Sequence, residues 1–346
     1  MRAGTWRSET RKLVLVSPVE TSAQSVVRYL DRNGLLQAVS KPELRVLVPI
    51  IRAQTAGHLL SIGDALVRQT RGSGNVLGLV EVPAYASEAV AHEVMQRRRE
   101  LLRWIAATDE PAEARSTPGL GILVRVVHDV ALGIREAAYE TNADLVAVEW
   151  PGLASRRPRL LASVIANLSA NPSADLLLVR PGIIKYRLQV RARRILVPVR
   201  GGPNARLALK VAGALAGAWD ARLTVLHVAD PHHHPDRKAQ ESLELDYLLS
   251  HIEGATPELI DREAADIGGA IREAAAEADL VVLGASAPPT QGPVLVRAEL
   301  AAALRRLTGT IILVRTVESL MSAQVAEPTS SPALRRPHKS QGPSDR

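Results

Sequence analysis

Short apolar runs alternate with amphipathic stretches along most of the chain, which is the pattern of strands alternating with helices. The sharpest runs are RVLVPII, which begins at Arg45, and RILVPV, which begins at Arg194. After the first run we predict helices at 55–71, 87–107, 130–142 and 160–170 and strands at 76–82, 122–127, 144–149 and 175–180. After the second we predict a helix, a strand ending at 228, a weakly marked helix, a third strand near 258–261 and a last strand at 311–314. Strands and helices at these spacings predict an α/β protein with a parallel sheet and right-handed crossovers.

The N-terminal segment has no counterpart later in the chain. Residues 13–16 are predicted to form a short strand, and residues 21–36 a helix that Asn33-Gly34 could end. Residues 1–42 are therefore interpreted as a leader or an extra edge element of the sheet.

The stretch from Ala143 to Arg180 recurs at 278–315 without an insertion. Both copies open with ADLV and close with Leu-Val-Arg, and the helix before each copy contains IREAA. This internal duplication predicts two similar domains. The predicted divisions are an N-terminal element at 1–42, a first domain at 43–181, a basic linker at 182–193, a second domain at 194–316 and a disordered tail at 317–346.

The composition is that of a globular protein, with 46% hydrophobic and 23% charged residues among 346. Phe is absent and aromatic residues make up 3%, so the cores must be aliphatic, which suits parallel strands covered by helices. Cys is absent, which excludes disulfides, thiolate metal sites and a Cys nucleophile. No signal peptide and no apolar window approaching the roughly 18 residues of a membrane span is present. We therefore expect a soluble, cytoplasmic protein that does not insert into membranes.

A net charge of +7 and a pI near 10.0 raise the question of nucleic-acid binding. The Arg clusters are scattered over predicted helices and loops, and no aromatic residues interleave with them as a base-stacking surface requires. We interpret these clusters as solvated faces and expect no nucleic-acid partner.

Several short motifs resemble the universal stress protein family, in a tandem arrangement over residues 44–316. They are LVPV at 196–199 followed by Gly-Gly-Pro-Asn-Ala, Leu-His-Val at 226–228, LLASV at 160–164 and LLLVRP at 176–181. The first domain looks most like the stress-protein modules that are fused to membrane transporters. The resemblance implies two tandem Rossmann-like domains of the adenine nucleotide alpha hydrolase-like type. Each would be a five-stranded parallel sheet of order 3-2-1-4-5 with helices on both faces.

Nucleotide-binding members of that family carry G-x-x-G, nine further residues and then G-S or G-T after the fourth strand. Glycines let backbone N–H groups approach phosphates, and the hydroxyl at the helix start adds a donor. The frame falls on Glu149, Gly152, Ala162 and Ser163 in the first domain and on Gly284, Ala287, Arg297 and Ala298 in the second. Each copy has lost two or more of the four residue types, and Glu149 would repel phosphates by roughly 1 to 4 kcal/mol.

The family's Asp at the end of strand one is also replaced, by Ile51 in the first domain and Arg200 in the second. Neither side chain can accept hydrogen bonds from a ribose. The candidate nucleotide-binding residues, in a degenerate motif, are Gly152, Ala162, Ser163, Gly284, Gly201 and Gly202. The Gly201-Gly202 loop also resembles the S-G-G-x-D-S loop of nucleotide alpha hydrolases, although its Ser and Asp are absent.

Two further groups could carry chemistry, and a simpler interpretation is favoured for each. Consecutive His232, His233 and His234 cannot easily face one ion, so we interpret them as a solvated loop and predict no metal site. His128 and Asp129 follow the third strand, where they more simply cap the next helix than act as an acid/base pair. No nucleophile with its base can be assembled, so we predict no catalytic residues and no enzyme activity.

Two functions remain open. The favoured one is a non-catalytic, stress-response scaffold with degenerate nucleotide sites, no cofactor and protein partners, among them a transporter. The alternative is a sensor of ATP or AMP that retains one atypical site, in the first domain, and regulates a transporter.

The last strand of each domain, 176–179 and 311–314, is apolar and would lie at a sheet edge, where it needs a partner. Because family members commonly dimerise through that strand, the resemblance implies an intramolecular pseudo-dimer with these two edges antiparallel. A homodimer is the alternative assembly.

Overall fold

The computed structural model describes residues 27–30, 36–39, 44–52, 55–81, 120–152, 159–182, 191–232, 234–285 and 298–319 and the isolated positions 92, 96, 99, 100 and 296. The predicted strand at 13–16, the predicted helix at 87–107 apart from those isolated positions, most of the linker and the tail beyond 319 lie outside these residues.

The N-terminal segment differs from the prediction. Strand β1 (Val27–Leu30) pairs antiparallel with β2 (Leu36–Val39), where a helix over 21–36 was expected. The physical reason lies in the sequence, because Val27 and Tyr29 favour strands and Asn33-Gly34 is as typical of a hairpin turn as of a helix end. These strands form a separate two-stranded sheet, so within the described residues the segment is not an edge of the main sheet.

The remaining elements alternate as the hydrophobic pattern predicts. The strands are β3 (Arg45–Ile50), β4 (Ser73–Glu81), β5 (Leu120–Val127), β6 (Leu145–Glu149), β7 (Asp175–Arg180), β8 (Arg194–Val199), β9 (Arg222–Ala229), β10 (Glu258–Glu263), β11 (Leu280–Gly284) and β12 (Thr310–Arg315). The described helices are α1 (Ala56–Thr70), α2 (Val130–Glu140), α3 (Arg159–Ala170), α4 (Pro203–Trp219), α5 (Pro235–Ser250), α6 (Ile267–Ala275) and α7 (Ala298–Arg305).

These strands form one ten-stranded sheet in the order β10-β9-β8-β11-β12-β7-β6-β3-β4-β5. The pairings are parallel except in the middle, where β12 runs antiparallel to β7 with Leu313 opposite Leu178. The predicted mostly parallel α/β fold and the antiparallel pairing of the two last strands are both confirmed. We call β3–β7 with their helices the first half and β8–β12 with theirs the second half.

The helices cover both faces of the sheet and create two apolar layers that run through both halves. One layer contains α1, α4 and the buried side of α5, and the other contains α2, α3, α6 and α7. Strand residues alternate between them, so that Val46 and Val48 face the first layer while Leu47 faces the second. Helices α1 and α4 meet near their C-terminal ends, where a Cβ added to Gly217 would lie 2.6 Å from Gln69 Nε2.

The duplicated Asp of ADLV makes the same contacts in both copies. Asp144 Oδ2 accepts the backbone N–H of Arg45 at 2.9 Å, and Asp279 Oδ2 accepts that of Arg194 at 3.0 Å. Each Asp also donates its own N–H to the carbonyl of the same arginine. The repeat therefore preserves a polar junction between the first and fourth strands of each half.

The chain remains ordered in contact with the fold beyond the predicted start of the tail. Val317 N–H donates to Asp175 Oδ1 at 2.9 Å, and Ser319 Oγ bonds Asn204 Oδ1 at 3.0 Å. Val317 and Ser319, which the sequence analysis assigned to the tail, therefore contact the first and the second half.

Candidate functional site

In a parallel α/β sheet, ligands bind at the carboxyl ends of the strands where the strand order reverses. That reversal occurs between β3 and β6 in the first half and between β8 and β11 in the second. Because β7 and β12 are antiparallel, the carboxyl ends of the two halves lie at opposite edges of the sheet. The candidate residues of the two halves therefore form two separate clefts.

The cleft of the first half contains an ion pair between a buried carboxylate and an exposed arginine. Glu149, at the end of β6, is 1% exposed, and Arg52, just after β3, forms a salt bridge with it. Arg52 Nε lies 3.0 Å and Thr55 Oγ1 2.7 Å from Glu149 Oε2. Arg52 compensates the charge of Glu149, so the expected repulsion of phosphates is reduced, and the three side chains link the end of β6 to the residues that follow β3.

The three first-half candidates lie on two elements beside this ion pair. Gly152 follows β6 with a φ of +83°, a conformation that favours glycine, and a Cβ there would lie 2.9 Å from Arg180 Cδ. Ala162 is half-buried and Ser163 is exposed in the first turn of α3. The loop glycine thus packs against Arg180.

Arg180, at the end of β7, ties the first half to the second. Its guanidinium donates to the carbonyl oxygens of Leu304 at 3.0 Å, Leu307 at 2.7 Å and Gly309 at 2.8 Å. Leu304 lies in the last turn of α7, where carbonyls lack partners within the helix and a cation is favoured, and Leu307 and Gly309 lie in the segment that leads to β12. Partial burial lowers the pKa of Arg180 from its ordinary value, although an arginine remains charged.

Asn204 closes the cleft of the second half. Its Nδ2 donates to the carbonyl of Ala285 at 2.9 Å, and its Oδ1 accepts the N–H of Thr316 at 2.8 Å. A Cβ added to Gly284 would lie 3.0 Å from Asn204 Cβ. The candidate Gly284 is therefore in contact with a side chain of α4, and the amide of Asn204 joins β11, α4 and the end of β12. Ala287 and Arg297 lie outside the described residues.

Gly201 and Gly202 have φ values of +103° and +84°, and a carboxylate from another helix lies against them. Glu244 of α5 accepts the N–H of Gly202 at 2.6 Å. A Cβ on Gly201 would lie 2.7 Å from all three carboxyl atoms of Glu244, so the carboxylate packs directly on the loop. The structure thus brings an acidic side chain to the loop in which the sequence indicated a phosphate-type ligand.

The histidines do not form a metal site within the described residues. His234 Nδ1 lies 3.3 Å from Asp236 in an exposed contact, and His233 is outside the described residues. Asp129 accepts the N–H of Leu132 at 2.8 Å, which confirms its role as an N-cap of α2. His227 is buried on β9, and its Nδ1 bonds Asp261 of the edge strand β10 at 3.0 Å.

A cavity of about 460 Å³ lies away from both clefts. It is lined by the end of α4, including Gly217 and Asp220, and by the beginnings of β9 and β10. These are the amino ends of the second half's strands, the edge opposite to Gly201, Gly202 and Gly284. Size alone therefore does not make it the nucleotide site.

Sequence reasoning missed Arg52, Asn204, Arg180 and Glu244 as residues that shape the clefts. Asn204 carried a partial signal, since it follows Gly-Gly-Pro at a helix start. Glu244 carried none, because its contact with Gly202 joins residues 42 positions apart on different elements.

The described residues include no helix that is long and apolar enough to cross a membrane.

Comparison with known proteins agrees with the sequence resemblance. The chain is 25% identical over 242 residues to the Na(+)/H(+) antiporter NhaS5 of Synechocystis sp., a match that covers 67% of this chain and 33% of the antiporter. The chain thus spans about a third of that relative's length.

Two solved structures are similar at low identity. A universal stress protein from Archaeoglobus fulgidus is 15% identical with a TM-score of 0.49, covering 79% of this chain and 96% of that one. The cytoplasmic domain of a prokaryotic cation chloride cotransporter is 16% identical with a TM-score of 0.49, covering 80% and 96%. Residues 191–315 match the family model described as the Universal stress protein family. Residues 191–315 therefore contain a domain of the universal stress protein family.

Proposed function

We propose that this protein is a non-catalytic tandem universal stress protein that works as a regulatory scaffold, with both nucleotide clefts closed by its own side chains. The observation that supports the proposal is that different side chains occupy the two clefts. The ion pair of Glu149 and Arg52 fills the first, and the amide of Asn204 spans the second.

The closures make nucleotide binding unfavourable for separate reasons. In the first half, a phosphate that drew Arg52 away would leave the buried carboxylate of Glu149 without its compensating charge. In the second half, a ligand would have to displace Asn204, which would leave the Ala285 carbonyl and the Thr316 N–H without their partner. Two independent closures support loss of binding rather than a single atypical site.

The partner class that we favour is a membrane transporter. Support comes from the local match to a Na(+)/H(+) antiporter, which extends over two thirds of this chain. A scaffold of this kind would act through its surface and would need no cofactor, metal or catalytic residue.

A sensor of ATP or AMP is the second candidate, and one observation favours it. Gly152, Gly201 and Gly202 keep positive φ values of +83°, +103° and +84°, which glycine adopts readily in loops whose backbone approaches a ligand closely. In this alternative a ligand would open one of the closed clefts on binding.

Calorimetric titration of the full chain with ATP, AMP and cyclic AMP separates the two functions. We expect no saturable binding, because displacing the side chains of either cleft costs more free energy than a nucleotide gains by binding there. The variant Glu149→Gly restores the motif glycine and leaves Arg52 able to meet a phosphate, so it should bind more tightly than the parent if Glu149 closes the site. A family member with the complete glycine motif serves as positive control. Micromolar binding of ATP to the parent would overturn the scaffold function.

A further inference from the structure

Helix α5 is held to the second half by few buried side chains. Among its described side chains only Leu245 and Leu248 are fully buried, whereas Leu243 and Tyr247 are 71% and 50% exposed. A helix of sixteen residues with so little apolar burial gains little from packing. Polar contacts must therefore decide its position.

Polar contacts join α5 to the rest of the second half along its length. Glu244 accepts the N–H of Gly202 at 2.6 Å, and Lys238 Nζ lies 2.8 Å from Glu263 of β10. The guanidinium of Arg206 lies 5.6 Å from the centre of the Tyr247 ring. Of these, only the Glu244 contact is a charged hydrogen bond to the main chain, and it joins α5 to the loop before α4.

The two ends of α5 are attached unequally. After its C-terminal end, Glu253 and Gly254 pack so closely on α4 that a Cβ on Gly213 would lie 2.5 Å from the Glu253 carbonyl oxygen. Before its N-terminal end, the exposed residues Pro231, His232 and His234 connect it to β9. The C-terminal end is therefore fixed by close backbone packing, whereas the N-terminal end reaches the sheet through the partly exposed ion pair of Lys238 with Glu263.

We propose that α5 is a lid over the second half, hinged at Glu253-Gly254 and latched by the contact between Glu244 and Gly202. When the latch is closed, the carboxylate covers Gly201 and Gly202. When it opens, Leu245, Leu248 and this loop become exposed together without unfolding of the sheet. This inference goes beyond the scaffold function and does not depend on it.

Hydrogen exchange of the full chain tests the latch, with Glu244→Ala compared against Asp246→Ala. Both variants remove one exposed carboxylate from α5, but only Glu244 contacts the loop. Glu244→Ala should speed exchange of the α5 amides by roughly tenfold, since a charged hydrogen bond holds the closed state. Exchange in α4 and α6 should stay unchanged, and Asp246→Ala should match the parent.

Trypsin provides a second readout, because Arg237 and Lys238 lie in the first turn of the lid. Cleavage at these residues should accelerate in Glu244→Ala and not in Asp246→Ala. Equal exchange of α5 in the two variants would overturn the latch. An increase spread equally over α4, α5 and α6 would also overturn it, because it would show general loss of stability instead of opening of one helix.

Discussion

At the scale of single residues, the repeated Asp of ADLV shows how a charge stabilises the start of each half. Burial pushes the pKa of Asp144 up, but the hydrogen bonds and charge of Arg45 outweigh it, so the pKa lies below its ordinary value. A carboxyl whose pKa is depressed by folding contributes stability above its unfolded pKa, and that stability is lost as the pH falls through the folded pKa.

The variant Asp144→Asn tests this contribution. Asn keeps an acceptor for Arg45 but removes the charge, so the variant should be less stable than the parent at neutral pH by about 1 kcal/mol. The difference should shrink as the pH falls below the ordinary aspartate value of 3.8, since the parent then loses its charge too. Urea unfolding at several pH values measures the loss of stability and its dependence on pH. A difference that does not change with pH would contradict an electrostatic role.

Whether a side-chain contact can be predicted from the sequence depends on how far apart its two residues lie along the chain. Asp129 as a cap was predictable because its partner is three residues away. The contacts of Arg52 with Glu149 and of Glu244 with Gly202 join residues 97 and 42 positions apart. Such contacts depend on the rotamers of side chains on separate elements, which hydrophobic periodicity does not encode.

At the scale of elements, one arginine completes a helix that belongs to the other half of the molecule. Helix α7 ends at Arg305 without a glycine in the left-handed conformation that often closes helices, and Arg180 instead donates to the carbonyl of Leu304 in its last turn and to that of Leu307 just after it. The position of α7 is thus coupled to β7.

Replacing Arg180 by Met should destabilise the protein by about 2 to 4 kcal/mol, because the variant leaves several partly buried carbonyls without donors. Lys should restore only part of the loss, since a single ammonium cannot reach all three carbonyls as the planar guanidinium does. Arg305→Met, at an exposed position of the same helix, is the matched control and should change stability by less than about 0.5 kcal/mol. Equal losses at the two positions, measured by chemical unfolding, would argue against the cap.

Most elements could be predicted because the spacing and the runs of apolar residues in the sequence agree with the residues that are buried in the fold. The strand at 175–180 is predicted with the bounds it has, since its apolar run is buried on both faces. The prediction failed at 21–36, because the same residues suit a helix or a hairpin. The sequence alone does not show which tertiary contacts favour one of them. The edge strand β10 is weakly marked because it is largely exposed and carries charges instead of an apolar run.

At the scale of the whole molecule, the antiparallel pair of β7 and β12 makes one sheet from two halves. Leu178 and Leu313 face each other in this pair and are fully buried. An apolar edge strand that is covered in this way cannot recruit other chains.

The variant Leu178→Asp should break this junction, because a buried carboxylate without a partner costs about 4 kcal/mol or more. We expect aggregation or intermolecular strand pairing in size-exclusion chromatography with light scattering, together with lower stability. Leu259→Asp makes the same substitution on the outer strand β10 at a side chain that is 43% exposed, and should stay monomeric. A monomeric Leu178→Asp as stable as the parent would show that the helical faces alone hold the halves together.

The covalent link across the sheet also changes what evolution can do with the two clefts. In a dimer of identical subunits every substitution appears twice, so a change that suits one cleft is imposed on the other. In a single chain each half can mutate alone while its partner preserves the junction. The structure shows this difference: one cleft contains a carboxylate and a guanidinium, the other an amide, and Glu244 lies against the glycine loop of the second half. The two halves keep the same backbone arrangement, but the side chains in their clefts are no longer the same.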